Sequence, residues 1–438
     1  MKKKKVLILA YDFPPYISVG GMRPYGWFKY LPKELYDVTV VTRQWNNDIH
    51  SAIDCIQPSH SKIVEVENQA EGRVFRAPFQ PNLRDKILIK YRFEKFGLMR
   101  KGMSFFIDLF KHTFSFCDSS RTIYNAANSL CENEPFDVII ATGEPFILFK
   151  HAHQLSKKHH IKWIGDYRDG WTTNQRKDRL GFAESIINNN YKRKEKKYIK
   201  TASLITTAAD EYRIELSSII DADKIHVVLN GFISRFSDLK IDDNKKDIFE
   251  ISYLGTLYSH QNIEMFMEGV EKFISKTGVS FNQFSIKFIG LNFYPDQKER
   301  VLKCSETIHP YLIFTDKVPY EQLVEEVKES SLLLLMSKKN MNWLNAKVFD
   351  YLMFNKSVLF LGNDEGVLDN ILREVNNSTF RVNTIDEVFN ALSESYAEFL
   401  KDGYLKNSNI QEKVFNYSRE NQTLKLSNLL MDEVFHSQ

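Results

Sequence analysis

At 438 residues the chain is too long for one ordinary hydrophobic core, so two domains are expected. Its composition is 43% hydrophobic and 26% charged, as in ordinary globular proteins, and a formal net charge of +3 argues against nucleic acid as a partner. The four cysteines (Cys55, Cys117, Cys131 and Cys304) are scattered, with neither CxxC nor histidines at zinc spacing, which argues against a disulfide framework or a zinc site.

The Lys2–Lys5 run precedes only "VLILA", far short of a signal peptide or of the roughly 20 apolar residues of a membrane span. The expected location is cytoplasmic, at most peripheral at the inner face of the membrane. Short apolar runs then alternate with helical patterns, the signature of parallel α/β architecture. Strands are expected at Val6–Ala10, Val38–Thr42, Arg73–Ala77, Val138–Ala141, Trp163–Gly165, Leu204–Thr207 and His226–Leu229. Helices are expected near Arg23–Leu31, Phe146–His159, Ala183–Lys200 and Asp210–Ile220. Residues 85–116 interrupt this alternation with interleaved Lys, Arg and aromatics. They read either as an insertion packed on the domain or as an interfacial helix lying on anionic lipid.

A polar, aperiodic stretch at 237–248 reads as a linker. The alternation then restarts, with strands at Glu250–Leu254, Ser285–Ile289, Leu312–Phe314, Leu332–Met336 and Val358–Leu361. Helices are expected at Asn262–Lys276, Asp296–Glu306, Tyr320–Glu329 and Ala346–Phe354. The expected organisation is a first domain over 1–236, the linker, a second domain over 249–410 and a final segment over 411–438. Two such domains would face one another across a cleft, with ligands outside the carboxyl ends of the strands.

Five constellations sit where that rule points. "YDFPPYISVGGMRP" follows the first strand without the GxGxxG of a dinucleotide turn, and Gly20 and Gly21 offer side-chain-free backbone. "KWIGDYRDGW" delivers Asp166, Arg168, Asp169 and Trp171 from one strand end, either as an ion-pair knot or as carboxylates and a guanidinium for a hydroxyl nucleophile. Asn230-Gly231 is a sharp turn before the linker. Gly255-Thr256 closes the second domain's first strand, where backbone amides suit an anion. Lys347 and Asp350 share a helix face, as a phosphate and ribose pair or as a plain intrahelical salt bridge. The histidines show no metal spacing, and there is no GxSxG, P-loop or HExxH.

In order and spacing these elements resemble the GT-B glycosyltransferases, in particular the large, mostly retaining bacterial group of capsule, exopolysaccharide and lipopolysaccharide biosynthesis. The likeness is carried by Tyr11, Phe13, Pro14, Gly20 and Gly21, by Arg168-Asp169-Gly170-Trp171, by Asn230-Gly231-Phe232, by Gly255–Tyr258, by the segment 317–337 and by "KVFDYL" at 347–352. The resemblance implies two Rossmann-like domains, with a C-terminal helix crossing back to the first. It also implies a nucleoside-diphosphate sugar on Gly255, Thr256, Val318, Tyr320, Lys347 and Asp350. A saccharide or lipid-linked acceptor would lie beside the Gly20–Gly21 loop and Asp166, Arg168 and Asp169, with no metal or other cofactor. Three departures stand out: Asn342 occupies the position of a glutamate common in relatives, the ribose-binding acid is Asp350 rather than Glu, and Ser259, His260 and Gln261 replace the usual diphosphate-binding Arg and Lys. A non-hydrolysing sugar-nucleotide 2-epimerase and a non-catalytic polysaccharide-assembly partner are the alternatives.

Overall fold

The computed structural model describes residues 2–16, 18–46, 49, 51, 53–173, 181–233, 245–318, 320–339 and 344–435. The chain forms two compact units, Met1–Asn230 with Arg419–Gln438, and Gly231–Ser418.

The first unit is built on eight strands: β1 (Lys4–Leu9), β2 (Tyr36–Arg43), β3 (Glu65–Gln69), β4 (Gly72–Ala77), β5 (Val138–Gly143), β6 (Lys162–Tyr167), β7 (Leu204–Thr207) and β8 (Ile225–Val227). Their order is β3-β4-β2-β1-β5-β6-β7-β8, parallel except for the β3–β4 pair. The continuous apolar runs follow from this topology, since a parallel sheet is covered on both faces. Val6 pairs with Val38 on one side and Val138 on the other, all three buried. The helices are α1 (Val19–Tyr30), α2 (Leu83–Tyr91), α3 (Gly97–Phe110), α4 (Arg121–Asn133), α5 (Ile147–His159), α6 (Phe182–Ile199) and α7 (Asp210–Leu216).

In the second unit β9 (Phe249–Leu254), β10 (Phe284–Ile289), β11 (Leu312–Phe314), β12 (Leu332–Met336), β13 (Ser357–Leu361) and β14 (Thr379–Val382) form an all-parallel sheet in the order β11-β10-β9-β12-β13-β14. Its helices are α8 (Ile263–Thr277), α9 (Pro295–Leu302), α10 (Tyr320–Lys328), α11 (Lys347–Met353), α12 (Val367–Glu374), α13 (Ile385–Asp402) and α14 (Gln411–Phe415). Both sheets reverse direction beside their first strand, at β1–β5 and at β9–β12, which are the switch points where ligands bind in doubly wound sheets.

The last helix, α15 (Arg419–Leu429), is part of the first unit. Leu426, Leu430 and Val434 are buried in one cluster with Trp27, Phe28, Tyr36 and Val38. Gly26 leaves room on α1 for the Arg419 side chain.

Two observed boundaries differ from the sequence expectation. Helix α1 starts at Val19 rather than near Arg23, because the Ser18 hydroxyl accepts the Gly21 amide at 2.9 Å and caps it. Gly20 and Gly21 therefore belong to the first helical turn and not to a loop. Residues 411–418 stay with the second unit, and only 419 onward returns. Of the expected linker, residues 237–244 lie outside the described residues.

Candidate functional site

In the first unit the carboxyl ends of β1, β5 and β6 gather Asp12, Glu144, Arg168 and Asp169 around the start of α1. Arg168 Nε donates to Asp169 Oδ2 at 3.2 Å, and its Nη2 lies 3.8 Å from Glu144 Oε2. Ser18 Oγ donates to Asp12 Oδ2 at 2.9 Å while accepting the Gly21 amide. A methyl group on Gly20 would lie 1.8 Å from Arg168 Nη1, and one on Gly21 would lie 3.1 Å from the Asp12 and Phe13 backbone. The glycine pair thus lets a guanidinium and a loop close against the helix. Burial pushes the Asp12 carboxyl above the usual range, outweighing the Ser18 hydrogen bond and the Arg168 and Arg43 charges that pull it down.

Asp166 lies beneath this cluster and has a different role from the one expected. Fully buried, it accepts Arg23 Nη2 at 2.7 Å, Arg23 Nε on both oxygens, Thr142 Oγ1 at 2.9 Å and Thr206 Oγ1 at 2.7 Å. Arg23 also donates to the Val228 and Leu229 carbonyls. Four hydrogen-bonded groups saturate the carboxylate, so Asp166 clamps α1 to the sheet and is not placed as a base. Trp171 is likewise core, its ring stacked parallel on Phe146 at 5.2 Å. Of the two aspartates in the ion pair expected around Arg168, Asp169 alone takes part, while Asp166 pairs with Arg23 instead. Arg168 and Asp169 remain at the strand ends, partly exposed.

In the second unit the site forms at the β9–β12 switch point. Gly255 ends β9 at φ +68°, a conformation that favours glycine. Lys347, the first residue of α11, donates from Nζ to Tyr253 Oη at 2.6 Å and to the Thr256 carbonyl at 2.7 Å. Its ammonium also sits 3.9 Å from the Tyr253 ring centre. Burial holds the Lys347 pKa well below the ordinary lysine range, with the Asp350 charge opposing. The buried Gln261 fixes this corner, accepting Tyr253 Oη at 2.9 Å and the Tyr258 amide at 2.8 Å, and donating to the Met336 carbonyl at 3.0 Å. Lys317 packs its stem against Gly290, which has φ +87°, and holds its ammonium 3.7 Å from the Phe293 ring centre.

The structure therefore brings Gly255, Thr256 and Lys347 together, with Asp350 one helical turn along. Val318 follows Lys317 in the loop after β11. Asn342 and the Tyr320 side chain lie outside what is described. Among the described residues, no group of three or more His, Cys, Asp or Glu is placed to hold a metal ion. Asp12, Glu144, Tyr253 and Gln261 were missed from sequence. The strand-end rule that singled out 166–171 also applies to "YDF" after β1 and "TGEP" after β5.

No family model and no curated protein matches the chain. Solved structures do. A glycosyltransferase from Rickettsia africae ESF-5 superposes with a TM-score of 0.62 at 11% identity, covering 100% of both chains. The catalytic domain of starch synthase IV from Arabidopsis thaliana, bound to ADP and acarbose, gives 0.59 at 11% identity over 99% of this chain and 100% of that one. Anabaena Alr3699/HepE, in complex with UDP and glucose, gives 0.54 at 11% identity over 98% and 99%. At this identity the likeness shows the fold: the chain has the α/β GT-B fold of two Rossmann-like units.

Proposed function

We propose that the protein is a metal-independent glycosyltransferase of the hexosyltransferase kind. It moves a sugar from a nucleoside-diphosphate donor to a saccharide or lipid-linked acceptor in bacterial surface-polysaccharide biosynthesis. The observation that carries the proposal is the Gly255–Thr256–Lys347 corner at the β9–β12 switch point. A diphosphate there would exchange with the Thr256 carbonyl for the Lys347 ammonium and face the backbone beyond Gly255. Asp350 would take the ribose hydroxyls, and Val318 and Tyr320 the base. On the other unit, Arg168 and Asp169 orient the acceptor hydroxyl beside Gly20.

In the retaining course, the bond from the anomeric carbon to the diphosphate oxygen breaks and the acceptor oxygen bonds on the same face. The acceptor proton leaves with the diphosphate, whose charge Lys347 stabilises. One observation favours an inverting course instead: Asp12 stands beside Gly20 and Arg168 at the carboxyl end of β1, a carboxylate placed as a base, and burial holds its carboxyl above the usual range. Anomeric NMR of the product separates the two courses. Inversion together with lost turnover in Asp12→Asn would select the second.

Calorimetric titration with UDP, GDP and dTDP tests the donor site. One nucleotide should bind, and Asp350→Ala should weaken it by about 1.5–3 kcal/mol through lost charged hydrogen bonds. Failure of all three to bind the wild type would remove the transferase reading.

A further inference from the structure

We propose that the α2–α3 face of the first unit docks on an anionic lipid bilayer. Residues 83–116 carry eight Lys and Arg against three Asp and Glu, whereas the rest of the chain is net negative. The same stretch holds eight of the twenty large apolar side chains exposed among the described residues. Leu98 at 87%, Phe116 at 73% and Phe93 at 68% are the most open of them. Helix α3 has no buried residue along its fourteen positions. A surface helix of a globular protein ordinarily buries its apolar stripe against the core, whereas this one leaves Leu98, Met99 and Phe106 exposed and the rest of its apolar residues only half-buried.

A second helix extends the face. Asn190 Nδ2 donates to the Leu109 carbonyl at 2.9 Å and Lys194 Nζ to Thr113 Oγ1 at 3.5 Å, so α6 and α3 run in the same direction. Phe182, 86% exposed, and the exposed Ile186 stand on the first turns of α6. The acids of the stretch are largely spent within it: Asp85 pairs with Arg84 at 2.7 Å and Asp108 with Lys111 at 2.8 Å. Lys95 and Lys101 stay exposed beside the apolar residues.

Apolar surface alone would also suit a second copy of the chain. The charge decides against it, since two such faces would bring like charge together, whereas anionic headgroups accept the lysines and the acyl boundary accepts Phe and Leu. Among the described residues no helix is long and apolar enough to cross a membrane, so the contact is interfacial.

Co-sedimentation of the full chain with vesicles tests this independently of any transferase activity. Binding is expected to vesicles containing phosphatidylglycerol, to weaken with added salt, and to be lost on phosphatidylcholine alone. The pair Phe93→Ser/Leu98→Ser and the pair Lys95→Glu/Lys101→Glu should each weaken binding about tenfold or more. All four side chains are exposed, so the thermal melts should match the wild type. The proposal is overturned if no phosphatidylglycerol-dependent binding occurs, or if binding survives both pairs. A dimer that the serine pair dissolves, without vesicle binding by the wild type, would overturn it in favour of self-association.

Discussion

Arg168 rests on the bare Cα of Gly20, which fixes the guanidinium between Asp169 and Glu144 without a hydrogen bond from the helix. The end of an arginine side chain is flexible, so Gly20→Ala should fold and displace Arg168 rather than break α1. Gly20 has no left-handed φ, so alanine there also removes freedom from the unfolded chain, worth up to about 1 kcal/mol. Under the proposed function the expected outcome is an unchanged or raised melting temperature, unchanged nucleotide affinity in the second unit, and turnover reduced at least about tenfold by a misplaced acceptor. Full turnover in Gly20→Ala would remove Arg168 from the reaction.

At the scale of elements, α5 carries a titrating anchor. His151 is buried, with Nε2 3.0 Å from Ser120 Oγ and 3.3 Å from Asp118 Oδ2, tying the helix to the turn that leads into α4. Burial lowers its pKa to about 4, against the pull of Asp118, whereas the unfolded chain has the ordinary value near 6.5. The unfolded state therefore binds the proton first as pH falls. Stability from this residue is full above about pH 6.5 and is lost progressively toward pH 4. Between pH 7 and pH 5 the urea-unfolding free energy should fall by about 2 kcal/mol from His151, and His151→Gln should flatten that slope.

Strands such as Val6–Ala10 and Leu332–Met336 were legible because burial on both faces demands continuous apolar runs. Strand β3, "EVENQ", was not legible: it is an antiparallel edge strand, exposed or half-buried along its length, and has no apolar pattern to read. The Gly255–Thr256–Lys347 corner was legible because a strand end, a glycine and a helix start fall at fixed places in this topology. The role of Asp166 was hidden because its partner Arg23 lies 143 positions away, and Asp12 because its neighbours come from three different strands.

On the scale of the whole molecule, the first unit is assembled from both ends of the chain. Removing 419–438 takes out Leu426, Leu430 and Val434 and uncovers Trp27 and Phe28, a loss on the order of 5 kcal/mol, comparable to the stability of a small domain. A fragment spanning 1–230 should therefore be molten by near-UV dichroism. A peptide spanning 419–435, added in trans, should restore the signal saturably. A fragment with native dichroism and no response to the peptide would show that α15 is dispensable.

That return of α15 also sets an order on synthesis. A ribosome delivers residues 1–230 long before 419, so the nascent first unit must wait, its α1 side uncapped, while the whole of the second unit emerges. The second unit is contiguous and can fold on emergence. The protein would then be built from the middle outward, with its N-terminal unit, made first, the last to become native. Chaperone dependence and truncation ahead of residue 419 would both register on the first unit.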